Sequence, residues 1–119
     1  MIHVCFALYD KTGRYSKFTG TTMLSIFENT NSKVTVHILH DNTLSTDNRE
    51  KFSYLAGQYG QRVEFYNVDK LCVEEIKQIY KDLPSIATNR HSIATMYRFF
   101  IPKLIPAEIK KSAMAELLY

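Results

Sequence analysis

No apolar run in the 119-residue chain approaches the roughly 18 residues that a membrane-spanning helix needs, which excludes an α-helical span. Cysteine is scarce as well. Cys5 and Cys72 are the two present, without a CxxC partner and without histidines at zinc spacing, so neither a zinc module nor a disulfide scaffold is indicated. Both lie in apolar surroundings and read as buried thiols of a reducing compartment. A strong excess of one charge is missing. The formal net charge is +3 and the basic residues are scattered, too little to argue for a nucleic-acid partner. The opening stretch MIHVCFALYD has no basic leader and turns polar too early for a signal peptide, so the expected location is cytoplasmic. There is no internal repeat, low-complexity tract or linker. Residues 1–119 are expected to form one domain with a modest core.

What is present is an alternation of strand and helix signals. HVCFALY (3–9), VTVHILH (34–40) and VEFYNV (63–68) are rich in β-branched or aromatic residues and bounded by polar turns. The first is nearly continuous in apolar character, as a strand covered on both faces should be. Between them, Met23, Ile26 and Phe27 share a face of a helix over 16–28. Phe52, Leu55, Ala56 and Tyr59 fall at amphipathic spacing over 46–59, with Ser45 placed to cap. Cys72, Ile76, Ile79, Tyr80 and Leu83 form a further stripe. Such a βαβαβ run implies right-handed crossovers and a parallel sheet, half of a Rossmann-like doubly wound α/β fold. Ile93, Met96, Tyr97, Phe100, Ile101 and Leu104 make another stripe, which Pro102 ends near Phe100 or Ile101. Pro106 suits the first turn of a last helix, PAEIKKSAMAELLY, with Ile109, Ala113 and Leu117 on one face.

Open parallel sheets bind ligands beyond the carboxyl ends of their strands. The first strand ends at Tyr9-Asp10 and runs into KTGRYSKFTG. There Asp10 either accepts hydrogen bonds from a base or ribose or caps backbone amides of a turn. Tyr9 could stack on a ring, and Lys11 or Arg14 could meet phosphate. The loop is no P-loop, because GKS or GKT is missing. The second strand ends in His40-Asp41-Asn42, a catalytic pair if both side chains converge on a substrate and otherwise a polar strand end leading to a helix cap. His3 and His37 fall within strands, as packed or surface residues rather than ligands. Arg98 lies off the centre of its stripe, where it either grips a diphosphate with its planar fork or forms a solvated ion pair.

CFALYDKTGRYSKFTGTTMLSIFENT, VTVHILHDNTLS, VEFYNVD and RHSIATMYRFFIPKLIPAEIKK occur in an order and spacing that resembles the family-8 glycosyltransferases, from residue 2 to about residue 111. The resemblance implies the GT-A nucleotide-diphospho-sugar fold. It also implies transfer of a hexose from a UDP-sugar to a glycan acceptor with retention at the anomeric carbon, and Mn2+ or Mg2+ as cofactor. By position it assigns Asp10 to the uracil, with Ala7, Leu8 and Tyr9 shaping the nucleoside pocket, and Arg98, in the segment that Ser92 starts, to the donor near the metal site. The loop Lys11 to Tyr15 resembles a bacterial subset.

The family pattern next runs into a hydrophobic strand ending in Asp-x-Asp, whose carboxylates hold the cation. No Asp-x-Asp occurs in this sequence, and the segment in its place reads SAMAELLY. The expectation is therefore the donor-nucleotide part of such an enzyme, with no metal held and no catalytic residue of its own, so that whether it is an enzyme stays open. The alternative is a non-catalytic module that holds a nucleotide or self-associates. A receiver or flavodoxin-like carrier fits less well, lacking an acidic cluster with downstream threonine and lysine. With the family's next strand taken as missing, the first strand is expected to expose an apolar edge, covered by a second copy in a homodimer or by the terminal helix.

Overall fold

The computed structural model describes residues 2–10, 13–82 and 114–118. Ile2–Leu8 forms β1, Val34–His40 forms β2 and Arg62–Asn67 forms β3, each within one residue of its expected bounds. β2 is buried along its whole length, as a central strand between two helical layers must be. α1 spans Arg14–Glu28 and α2 spans Thr46–Gln58. The Ser45 hydroxyl accepts the Asn48 amide at 3.1 Å, so the expected cap is in place. After β3 the chain makes a short turn of helix, α3 (Val68–Leu71), and then α4 (Val73–Asp82).

The strands pair in the order β3-β2-β1-β4, all parallel, where β4 is Met114–Leu118. Alternation along β1 divides the core in two. Val4, Phe6 and Leu8 pack with Met23, Phe27, Phe52 and Ala56 of α1 and α2. Cys5 and Ala7 pack with Leu39, Val68, Cys72 and Ile76 beside α3 and α4. Helices on both faces of a parallel sheet make the fold a Rossmann-like open α/β sheet, as expected. α1 packs beside α2 at Gly20, where a β-carbon would meet Phe52 Cε1 at 3.7 Å, an ordinary contact. Cys5 and Cys72 are both buried in the second cluster, and neither forms a disulfide.

The chain corrects the sequence reading at its last segment. Met114–Leu118 is a strand, where a helix with Ala113 and Leu117 on one face was expected. Met, Ala, Glu and Leu are good helix formers, but β1 offers a row of unpaired backbone groups that five residues of this segment satisfy. His3 through Ala7 align with Met114 through Leu118. The strand thought missing is present, and β1 is an interior strand rather than an exposed edge. The expected helix over 91–104, with Ser92 and Arg98, lies outside the described residues.

Candidate active site: the switch-point crevice

The first two crossovers run β1 to β2 to β3, and the chain then returns to the far side of β1 to add β4. Strand order therefore reverses between β1 and β4, and the crevice beyond their carboxyl ends is where an open α/β sheet takes its ligand. β4 ends level with β1, since Leu118 aligns with Ala7. Tyr9 and Asp10 follow β1 directly into this crevice.

Asp10 is buried and held from three directions. Its Oδ1 accepts the Tyr15 amide at 3.0 Å, and its Oδ2 accepts the Ser16 hydroxyl. Its own amide donates to Thr43 Oγ1 at 2.8 Å. The carboxylate thus substitutes for a helix cap. α1 begins after Gly13, whose φ of 83° suits a residue without a side chain and which offers no side-chain cap of its own. Asp10 supplies the missing acceptor from three residues upstream. The capping alternative seen in the sequence is realised, and a negative group stands at the positive end of α1.

Tyr9 is half-buried and packs against the cluster of Cys5, Ala7 and Leu39. Ala7 and Leu8 are buried on opposite faces of the sheet. Of the five expected nucleotide residues, Ala7 and Leu8 end β1 as buried residues, and Tyr9 and Asp10 follow directly at its carboxyl end. Arg98 and Lys11 lie outside the described residues. Arg14 starts α1 and borders a groove between α1 and α2 that also meets Lys17 and Asn48.

His40 and Asp41 do not form a catalytic pair. His40 Nδ1 lies 2.8 Å from the backbone oxygen of Asp41 and so donates to it, which leaves the carboxylate out of the contact. Burial pushes the His40 pKa down, against the opposing pull of that bond. Asp41 is fully buried. Its Oδ1 accepts the Thr43 amide at 3.0 Å and the Thr43 hydroxyl at 2.5 Å. Thr43 and Ser16 are the site residues the sequence reading passed over. An Asp followed two residues later by Thr is an Asx-turn signal, so Thr43 was recoverable from HDNT. Ser16 was not, because its partner is set by how the loop folds back.

A second polar row crosses the other face of the sheet. His3 Nδ1 and His37 Nε2 lie 3.0 Å apart, and His37 Nδ1 is 3.0 Å from the Tyr66 hydroxyl. Both histidines are buried and satisfied by one another, as packed residues rather than ligands. Among the described residues no group of three or more His, Cys, Asp or Glu could hold a metal ion. The Asp10 and Asp41 oxygens named above are committed to protein donors. A hard divalent cation needs several oxygen ligands, and the described donors do not fit one.

The family model for glycosyl transferase family 8 matches residues 5–112, most of the chain. The chain belongs to glycosyl transferase family 8. No curated protein and no solved structure matches it. Membership assigns the domain to glycosyl transfer in general, and the parallel open sheet is that of a partial GT-A fold. In this family-8 domain no helix of the described residues is long and apolar enough to cross a membrane.

Proposed function

We propose that this chain is the donor-nucleotide part of a UDP-sugar glycosyltransferase that moves a hexose to a glycan acceptor with retention. The supporting observation is the placement of Tyr9 and Asp10, immediately after β1, where strand order reverses. Tyr9 offers a ring for stacking on the uracil. Residue 10 offers an anchored main chain for the base, with Ala7 and Leu8 packed behind. Arg98 is proposed for the diphosphate through its planar fork.

Mn2+ or Mg2+ would neutralise the departing diphosphate. No Asp-x-Asp occurs in these 119 residues, and the described side chains offer no cation cluster. The same two observations favour a second reading, a module that binds the nucleotide without transferring sugar. Isothermal titration of the 119-residue chain with UDP, with and without Mn2+, separates the two. Weak binding that Mn2+ leaves unchanged, with no turnover of a UDP-sugar, would favour the non-transferring module. Micromolar binding that requires Mn2+, or any measured transfer, would establish a working metal-dependent donor site. Absence of UDP binding under both conditions would overturn both readings.

A further inference from the structure

We infer that Asp41 and Thr43 are positioning residues for the donor crevice, a latch from the β2–α2 turn that sets the main chain of residue 10 before any ligand arrives. The inference rests on the donor reading above and goes past it, because neither residue is among those the resemblance assigns.

The latch sits where the sheet stops. Leu8 and His40 are the last aligned pair of β1 and β2. Beyond them the strands part, and the Asp10 amide has no ladder partner. Thr43 Oγ1 takes it at 2.8 Å. A threonine hydroxyl has one proton to give, and here it goes to Asp41 Oδ1 at 2.5 Å. A backbone amide can only donate, so the polarity of the chain is fixed. Asp10 N–H donates to Thr43, and Thr43 O–H donates to Asp41. Asp41 is fully buried and its Oδ1 also accepts the Thr43 amide at 3.0 Å, which holds the turn closed.

Residue 10 is therefore fixed twice, through its amide by the β2–α2 turn and through its carboxylate by the first turn of α1. Tyr9 is carried between β1 and this anchored residue. A crevice wall ordered in advance spares a ligand the cost of ordering it. Without the Thr43 hydroxyl the sheet and helices have no reason to change, but the residue 9–10 main chain loses its outer anchor.

The test uses the whole chain, with UDP as the probe. Thr43→Val keeps the shape and β-branching and removes the hydroxyl. Thr43→Ser keeps the hydroxyl. Val34→Ala, buried at the opposite end of β2 from the turn, serves as a control that lowers stability away from the crevice. Thr43→Val is expected to weaken UDP binding roughly five- to tenfold, the scale of one well-placed hydrogen bond. It is also expected to speed hydrogen exchange at the Asp10 amide. Thr43→Ser should restore both readouts, and Val34→Ala should alter neither. Equal UDP affinity in Thr43→Val and the unaltered chain would overturn the latch and leave the donor reading standing. An unaltered chain that takes up no UDP would overturn the donor reading and the positioning role with it. In that case the Asp10 exchange rate still reports whether the anchor exists.

Discussion

At the scale of single residues, Asp10 has two jobs that one substitution would confound. Its carboxylate caps α1 through the Tyr15 amide and the Ser16 hydroxyl, and the proposed nucleotide lies on the same residue. Asp10→Ala removes both acceptors and leaves the first turn of α1 short of one. Loss of such a cap costs about 1–2 kcal/mol, so lost uridine binding in that variant would be partly a folding effect. Asparagine caps as well as aspartate and carries no charge. Asp10→Asn is expected to recover most of the stability lost in Asp10→Ala, as read by urea denaturation. Equal destabilisation by the two would mean that the charge, not the acceptor geometry, holds the turn.

At the scale of elements, the parts set by local pattern were legible in the sequence. β2 was found at its observed bounds because VTVHILH is rich in β-branched residues and bounded by polar turns, both local signals. α2 was found because Ser45 and the spacing of Phe52 and Ala56 are local signals. The crevice was legible as a place, since the end of β1 follows from the βαβ order, and Asp10 was singled out for that reason. Its contacts were not, because Thr43 lies 33 positions away and reaches it through the sheet. β4 was misread for the same kind of reason. MAELL has the local preference of a helix, and the reward for extending it comes from β1, over a hundred residues earlier in the chain. That pairing makes a prediction. Deleting residues 114–119 should leave β1 as a long apolar edge, which invites association. The shortened chain is expected to sediment as larger species or to precipitate at concentrations where the full 119 residues do not. Identical sedimentation of the two would show that β4 is not what covers β1.

At the scale of the whole molecule, the buried histidine row couples global stability to pH. His37 belongs to the central strand, touching His3 of β1 and Tyr66 of β3, and so ties three strands together. Its pKa is lowered from 6.5 to about 4, first by burial and then by His3, with Glu64 pulling the other way and Arg62 adding a smaller push down. The His3 pKa is also lowered, by burial and by the amino terminus. A histidine held neutral in the fold binds fewer protons than in the unfolded chain, so stability rises with pH wherever the two differ. The contribution is fully present above the unfolded value of 6.5 and is lost as pH falls from there toward 4. By linkage the loss from His37 alone is roughly 3 kcal/mol over that window, a large share of the 5–15 kcal/mol typical of a domain. Urea midpoints measured from pH 7.5 down to pH 4.5 should therefore fall steeply below about 6.5. His37→Gln can still hydrogen-bond to His3 and Tyr66 but does not titrate, and it should flatten most of that slope even if it lowers stability at pH 7. A slope as steep in His37→Gln as in the unaltered chain would place the titrating group elsewhere, with His40, lowered by its own burial, the next residue to replace.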